Sequence, residues 1–443
     1  MVHCFEIGGR KLVYDPASGG LHAVDDLAFE VLSSLARGGE VPGCDPPVEV
    51  AEVLAEIKEL ELKGSLFLAD YGRQLYSPPA FAPKALCLMV AQECNLRCAY
   101  CFAGQGAYGG GGLMAENTAF KAVDYLMEAS GAVRDVEVDF FGGEPLLNFP
   151  VVAAVVEYGM QAAQTRGKNI SFTITTNALL LDKRASDFLL AKGVNVVLSI
   201  DGRKHVHDRF RRLPSGRGSY DLAFVNAKRH FTSWAGNPRS SYCYIRGTYT
   251  RLNLDFAEDF SHLVDEGLTA VSLEPVVAAP EEPYAVREAD LAAAATEYER
   301  LAQRYLDYRR RERPVRFFHF ELDPAGGPCL TKRVTGCGAG FCYLAVAADG
   351  RLYPCHQFVG DEAFCLGDLN GVRSEHIVDA FLQAHVYNKP CRACWARFYC
   401  GGGCHAAAYA ANGTIFEPSP VACGLMRRRL ECALYVLAAR KTD

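Results

Sequence analysis

The stretch Cys94-Asn95-Leu96-Arg97-Cys98-Ala99-Tyr100-Cys101 places three thiols within eight residues. It follows the apolar run Leu86–Val90, which predicts a buried strand, and precedes Phe102 and a glycine-rich stretch from Gly104 to Gly112. Three closely spaced soft ligands can hold three irons of a [4Fe–4S] cluster and leave the fourth iron open, whereas structural zinc requires a fourth ligand nearby. No His or Cys follows at once, so a zinc site would have to be completed from a distant segment. Cysteines that are merely buried are the remaining alternative.

The composition is that of a globular chain with two to four domains, because 443 residues exceed the roughly 100–200 residues of a typical domain and 50% of them are hydrophobic. Lys and Arg number 46 and Asp and Glu 52, which gives a formal net charge of −6 and argues against nucleic acid as a partner. The N-terminal residues lack the charged and apolar regions of a signal peptide, and no uninterrupted apolar stretch reaches about 18 residues. We therefore expect a cytoplasmic protein that does not bind membranes.

Residues 1–75 predict a first domain of three short strands and two helices. A hairpin turn at Gly8-Gly9 and a turn near Asp15-Pro16 separate the strands, and Asp25 or Asp26 can cap a helix through about Ala36. A second helix ends at Gly64, and Leu66–Leu68 could return as a strand. This order predicts a winged-helix-like module, but the segment has no basic recognition helix for DNA. It resembles the precursor-recognition domains of peptide-modifying enzymes, which hold a leader peptide as an added strand.

The next 200 residues alternate apolar strands with amphipathic helices, which predicts an α/β fold with a partial (β/α)6 barrel over residues 76–320. A bridging helix is predicted from Glu288 to Arg311. The six strands are expected near Leu86–Val90, Val136–Phe140, Ile170–Thr175, Val194–Ile200, Tyr242–Thr248 and Ala270–Val276.

Polar motifs stand at the ends of the predicted strands, where the βα loops of parallel barrels converge. The second strand ends in Gly142-Gly143-Glu144-Pro145, in which two glycines allow close backbone approach and Glu144 can accept from an ammonium group. Thr176-Asn177 ends the third strand, and Ser199 and Asp201 end the fourth, offering polar groups to a ribose. Ordinary turns and strand-end caps are the alternatives for these residues.

The cysteine loop resembles that of the radical S-adenosylmethionine (radical SAM) enzymes in spacing and position. The resemblance implies a [4Fe–4S] cluster on Cys94, Cys98 and Cys101 whose open iron takes the amino and carboxylate groups of SAM and cleaves it reductively to a 5′-deoxyadenosyl radical. Arg211, at the end of His207-Asp208-Arg209-Phe210-Arg211, would pair with the SAM carboxylate. The cofactor-binding residues expected from motif and resemblance are Phe102, Gly142, Gly143, Glu144, Thr176, Asn177, Ser199, Asp201 and Arg211.

Eleven of the 18 cysteines lie from Cys329 onward, within a third domain expected over residues 321–443. Cys337 and Cys355 flank a predicted short hairpin, and the array Cys391, Cys394, Cys400, Cys404 is followed by Cys423. A zinc ribbon is one interpretation of the CxxC pair. The spacings resemble the SPASM domain, whose radical SAM members carry two auxiliary [4Fe–4S] clusters and act on peptides or proteins.

That resemblance implies a distal cluster on Cys391, Cys394, Cys400 and Cys423 and a proximal cluster on Cys337, Cys355 and Cys404, three clusters in all with the SAM cluster. The proximal cluster either has an open iron or is completed by Cys329 or Cys342, and spacing does not decide between these. The other cysteines are expected to be ordinary buried or surface thiols, namely Cys4, Cys44, Cys87, Cys243, Cys365 and Cys432.

The whole chain resembles the SCIFF maturases, which form thioether cross-links in a small Cys-rich peptide. The resemblance implies a Cys-rich precursor peptide, held by its leader at the N-terminal domain, and an electron donor such as ferredoxin or flavodoxin. One alternative is formylglycine formation of the anaerobic sulfatase-maturase kind. The other is a non-catalytic metal-binding regulator.

Overall fold

The N-terminal segment forms its own antiparallel sheet in the computed structural model, which describes residues 1–38, 47–236, 241–323 and 328–440. Its strands are β1 (His3–Ile7), β2 (Arg10–Tyr14) and β3 (Leu21–Val24), followed by helices α1 (Asp26–Ala36) and α2 (Val48–Leu62). Gly8 and Gly9 have φ values of 58° and 72°, as a tight hairpin turn requires. The Asp25 side chain accepts from the Ala28 backbone at 2.8 Å and caps α1, as predicted.

The expected return strand at Leu66–Leu68 is wrong, since no strand forms there. The Leu68 backbone N–H instead donates to the side chain of Asp15 at 2.8 Å. A short helix, α3 (Gly72–Leu75), lies at the end of the first predicted domain.

The barrel prediction is confirmed, because six parallel strands lie side by side in the expected order. The strands are β4 (Ala85–Ala91), β5 (Asp135–Gly142), β6 (Asn169–Thr176), β7 (Asn195–Leu198), β8 (Cys243–Tyr249) and β9 (Ala270–Pro275). The helices between them are α4 (Glu116–Ala129), α5 (Phe149–Thr165), α6 (Lys183–Ala191), α7 (Lys204–Phe210), α8 (Tyr220–Ala235) and α9 (Phe256–Asp265), followed by the bridging helix α10 (Leu291–Arg310).

The barrel sheet continues beyond these six strands at both edges. The short strand β10 (Arg316–Phe317) pairs in parallel with β9. At the other edge β11 (Tyr343–Val346) pairs in parallel with β4, and the predicted hairpin joins it to β12 (Arg351–Tyr353). The strands β13 (Gly367–Asp368) and β14 (Gly371–Val372) complete an eleven-stranded sheet. The Cys-rich segment is therefore hydrogen-bonded directly to the first barrel strand.

The C-terminal helices surround the second group of cysteines. They are α11 (Leu330–Thr335), α12 (Glu375–Gln383), α13 (Arg397–Cys400), α14 (His405–Asn412) and α15 (Pro420–Arg440). Helix α15 packs against α10 and against strands β1 and β3 of the N-terminal sheet. It thus touches all three segments of the chain.

Specific contacts anchor the N-terminal segment to the C-terminal segment. The His3 ring stacks on Trp395 with ring centroids 3.9 Å apart, and the buried Arg397 binds Asp70 at 2.9 Å.

Among the described helices, the segment Pro145–Thr165 alone has the length and hydropathy to cross a membrane, and half of the tested window is buried inside the protein.

Candidate active site

A cavity of about 510 Å³ opens inside the barrel, at and below the C-terminal ends of its strands. Cys94, Cys98 and Cys101 form part of its wall. The predicted cofactor residues that also line it are Phe102, Gly142, Gly143, Thr176, Asn177, Ser199 and Arg211. Sequence motifs separated by more than 100 residues therefore meet around one space.

Backbone hydrogen bonds hold the cysteine loop in place, and its three thiols line the cavity. The Arg97 N–H donates to Arg212 O at 2.7 Å, and the Ala99 N–H donates to Phe210 O at 2.9 Å. Burial raises the pKa of Cys94 to about 11 and that of Cys98 to about 12, and the neighbouring thiols raise both further, whereas Arg211 lowers them. Three thiols that influence one another, beside a guanidinium and an open cavity, fit a cluster that three cysteines hold and whose fourth iron faces the cavity.

The two glycines of the strand-end motif are required by the close approach of the cysteine loop. An added Cβ would lie 2.1 Å from Ala91 O at Gly142 and 2.2 Å from Glu93 O at Gly143, and Gly142 also has a φ of 131°. The Gly143 and Glu144 N–H groups donate to these same two carbonyls at 2.8 and 2.9 Å. The motif thus fixes the start of the cysteine loop.

Glu144 lies behind the cavity wall rather than in it. Its buried carboxylate accepts from the Thr176 hydroxyl and from the Asn177 N–H, each at 2.7 Å, and from the Leu146 N–H at 3.0 Å. Burial raises the pKa of Glu144 to about 7, although these three hydrogen bonds lower it. A bond from Glu144 to a ligand ammonium group stays a prediction.

Asp201 is likewise buried, and it ties the fourth strand to the cysteine loop. It accepts a hydrogen bond from the Tyr100 hydroxyl, lies 3.0 Å from Arg211 Nε and accepts from the Thr248 N–H at 3.0 Å. The guanidinium of Arg211 also lies 5.5 Å from the centre of the Tyr100 ring. Arg211 is therefore already oriented by an anion and a ring on the protein itself.

The sequence analysis did not select Tyr100. Its position directly before the third cysteine is the signal that could have identified it as a site residue. The sequence analysis also assigned no role to His207. His207 is buried in α7, where its ring lies 3.0 Å from the Ser219 hydroxyl and 3.4 Å from the Asp201 N–H. Burial lowers its pKa to about 4, so it supports the Asp201 turn as a neutral ring.

The lower part of the cavity carries polar residues that the sequence analysis did not select. Their alternation along the strands is the signal that could have identified them. They comprise Glu137 and Asp139 on β5, Tyr242 directly before β8, Tyr244 and Arg246 on β8, and Glu274 on β9. Burial and the nearby Glu137 raise the pKa of Asp139 to about 7. Arg429 and neighbouring cations instead hold the pKa of Glu274 at about 2, despite its burial. The lower part of the cavity, here called the barrel floor, is thus polar.

Cys337, Cys355 and Cys404, here called the proximal set, come together beside this cavity. Burial raises the pKa of Cys355, and the Cys404 and Cys337 thiols add to the rise. His356 and Gln357 follow Cys355 directly and line the cavity, and the Gln357 amide lies 3.9 Å from the Cys404 sulfur. The three thiols therefore influence one another electrostatically, and that they hold a cluster stays a prediction.

Cys391, Cys394, Cys400 and Cys423, here called the distal set, form a second group. Burial raises the pKa of Cys391 to about 11, and Cys400, Cys423 and Cys394 contribute in the same direction. In the described ranges, no three His, Cys, Asp or Glu side chains converge closely enough to hold a single metal ion. A [4Fe–4S] cluster imposes a wider spacing, because each thiolate binds a different iron.

Cys342 interacts with Cys329, and its side chain also lies close to the residue after Cys337, because a Cβ added at Gly338 would be 3.7 Å from the Cys342 sulfur. Burial raises the pKa of Cys342, and the one thiol that contributes to this shift is that of Cys329. Of the cysteines expected to be ordinary thiols, Cys87, Cys243 and Cys432 are buried, while Cys4 and Cys365 are half-buried. Cys44 lies outside the described residues.

The open parallel barrel and the three-cysteine loop after its first strand both have counterparts in known proteins. Residues 84–223, which hold the cysteine loop and the first four barrel strands, match a family described as a 4Fe-4S single cluster domain. An uncharacterized protein of Methanocaldococcus jannaschii is 28% identical over 200 residues, so the match spans 43% of this chain and 62% of that protein. The serine-type anaerobic sulfatase-maturating enzyme of Klebsiella aerogenes is 23% identical over 374 residues, or 77% of this chain and 85% of that enzyme.

Solved structures show the same fold over most of the chain. The structure of anSMEcpe with bound AdoMet and the Kp18Cys peptide has a TM-score of 0.66 at 18% identity, and covers 82% of this chain and 100% of its own. Streptococcus suis SuiB bound to precursor peptide SuiA has a TM-score of 0.54 at 15% identity, with coverages of 95% and 98%. The chain is thus similar in fold, over most of its length, to anSMEcpe and SuiB, and similar in sequence to an anaerobic sulfatase-maturating enzyme.

Proposed function

We propose that this protein is a radical SAM enzyme that installs thioether cross-links between a Cys sulfur and a carbon of another residue, such as Thr, in a Cys-rich ribosomally synthesised peptide. The observation that carries the proposal is the convergence of three loop thiols and the strand-end motifs on one cavity, with the proximal set beside it. Two further thiol sets distinguish this chain from a barrel that only cleaves SAM.

Cys94, Cys98 and Cys101 would hold the cluster that binds SAM. Gly142, Gly143, Thr176, Asn177 and Ser199 offer backbone and polar groups to the cofactor from the cavity wall, and Arg211 offers a guanidinium to its carboxylate. When bound, the cluster and SAM supply a 5′-deoxyadenosyl radical that removes a hydrogen atom from a substrate carbon.

The barrel floor would receive the substrate segment. Each thioether link removes one hydrogen from carbon and one from sulfur, so two electrons and two protons leave the peptide. The 5′-deoxyadenosyl group takes one hydrogen atom, an auxiliary cluster would accept the other electron, and Asp139 is a buried carboxyl group placed to take a proton. Ferredoxin or flavodoxin would supply the reducing electron for SAM, in an oxygen-poor cytoplasm.

The N-terminal module would bind the leader of the precursor along an edge of its three-stranded sheet. The similarity to SuiB supports this. The match covers 95% of this chain, so it must include part of residues 1–75. Removing residues 1–75 should then weaken peptide binding while SAM cleavage persists. Equal peptide affinity of the truncated enzyme would contradict this part of the proposal.

The decisive experiment incubates reconstituted, reduced enzyme with SAM and a Cys-rich precursor peptide encoded beside its gene, and follows the peptide by mass spectrometry. We expect a loss of two hydrogen atoms per link that thiol reductants do not reverse, and fragment masses that join Cys to another residue. The Cys98→Ala variant should give no product and lack about four irons. An unchanged peptide mass, or a loss that reductants reverse, would contradict thioether formation.

Formylglycine formation is the second candidate, because several relatives are sulfatase-maturating enzymes. A sulfatase-derived peptide with a Cys or Ser at the target position tests it, since the product would be an aldehyde that reacts with hydrazides.

Iron and sulfide analysis tests the regulator alternative: three clusters require about twelve irons per chain, whereas a zinc-binding regulator would contain no sulfide.

A further inference from the structure

Lys389 is a buried lysine located between the two C-terminal thiol sets. It is 2% exposed, and its ammonium group donates to Gly402 O at 3.2 Å and lies 3.3 Å from the His405 ring nitrogen. Lysine is almost never fully buried without a compensating group, because removing its charge from water is costly. No carboxylate is paired with it among the described residues, so its environment calls for another source of negative charge.

The turn that Lys389 contacts connects the two sets. Cys400 belongs to the distal set and Cys404 to the proximal set, and only three glycines separate them, with φ values of 64°, 91° and 78°. Lys389 itself lies two residues before Cys391, the first cysteine of the distal set. An amine bound to the middle glycine of this turn is therefore near ligands of both proposed clusters.

A second contact brings the proximal set to the same point. A Cβ added at Gly336, directly before Cys337, would lie 2.8 Å from Gly401 O, so these two backbones touch. Cys337 of the proximal set and Cys400 of the distal set are therefore each one residue away from this backbone contact.

We infer that Lys389 is a positioning residue whose ammonium group lies between the two auxiliary clusters and raises the reduction potential of both. The inference rests on the proposed function, which assigns clusters to the two thiol sets. The physical reason is electrostatic: a reduced cluster carries one more negative charge than an oxidised one, and a nearby cation in a low-dielectric interior stabilises the reduced form. Clusters with raised potentials accept an electron from the substrate radical more readily.

The test measures potentials rather than activity. Holoenzyme with Cys94, Cys98 and Cys101 all changed to Ala retains only the auxiliary clusters, and a redox titration followed by electron paramagnetic resonance gives their midpoint potentials. In this background, Lys389→Met and Lys389→Gln should lower both potentials, while Lys389→Arg should restore them toward the starting values. Lys332→Met removes an exposed lysine on α11 and is the matched control, expected to change neither potential.

The outcomes test the proposed auxiliary clusters and the role of Lys389 separately. The background protein should contain about eight irons, and an iron-free background would refute the proposed clusters rather than the role of Lys389. Unchanged potentials in fully loaded Lys389→Met and Lys389→Gln would overturn the inference. Loss of clusters from both variants would also overturn it, because Lys389 would then serve cluster assembly. The Gln variant retains a hydrogen-bond donor for Gly402 and so separates charge from packing.

Discussion

Glu144 and Asn177 join the ends of two neighbouring barrel strands, since the Asn177 backbone N–H donates to the buried Glu144 carboxylate at 2.7 Å. The Asn177 side chain then donates to Asn95 at 2.7 Å, within the cysteine loop. The position of the loop thus depends on a carboxylate that does not itself face the cavity.

Replacing Glu144 with Ala should destabilise the protein and weaken SAM binding together. The change leaves the Thr176 hydroxyl and two backbone N–H groups without their acceptor, at a cost on the order of 3 kcal/mol. Urea unfolding and equilibrium dialysis of SAM measure the two effects. Glu128→Ala, which removes an exposed glutamate on α4, is the control. Full stability of Glu144→Ala would show that the hydrogen bonds to Glu144 are not needed for the fold.

Changing Cys329 or Cys342 singly to Ala should leave the iron content unchanged. The thiol that interacts with Cys342 is that of Cys329 rather than one of the proximal set, so we expect neither to be a cluster ligand. Iron and sulfide analysis of the reconstituted variants checks this, with Cys337→Ala as the variant that should lose a cluster. Loss of iron from the Cys329 or Cys342 variant would instead identify the fourth ligand of the proximal cluster.

Asp139→Asn should change the pH dependence of stability. The folded-state pKa of Asp139 is about 7, above its ordinary value of 3.8, so the folded protein binds this proton more tightly than the unfolded chain does. Its contribution to stability is therefore present at low pH and is lost as the pH rises toward about 7. The variant should gain stability relative to the parent as the pH rises from about 4 to about 7 and keep this gain at higher pH, measured by unfolding midpoints. Asp135→Asn, at the exposed start of the same strand, should show no such trend.

Arg397→Met should loosen the attachment of the N-terminal segment. Arg397 is 4% exposed and binds Asp70 at 2.9 Å, and its loss should cost about 2 kcal/mol, because Asp70 remains partly solvated. A double-mutant cycle with Asp70→Asn isolates the pair, and urea unfolding provides the values. Additive effects of the two single changes would show that the ion pair does not anchor the segment.

The sequence predicted the six barrel strands and the N-terminal sheet well, because their apolar runs and turn residues are local signals. It did not predict that β11 extends the barrel sheet, since pairing between residues 85–88 and 343–346 leaves no local pattern. Contacts between distant segments were also unpredictable within the candidate active site. The cysteines and glycines were recognisable from spacing, whereas the contacts of Glu144, Tyr100 and Asp201 connect distant strands and emerge only in three dimensions.

The pairing of β11 with β4 has a consequence for how the protein can be divided. All seven residues of β4 are buried, and β11 covers the edge of this strand that would otherwise present free backbone groups. A fragment truncated after residue 320 would expose that apolar edge, which is a template for aggregation. The catalytic barrel is therefore expected to be insoluble when expressed alone, and co-expression of the missing C-terminal piece should rescue it by strand complementation.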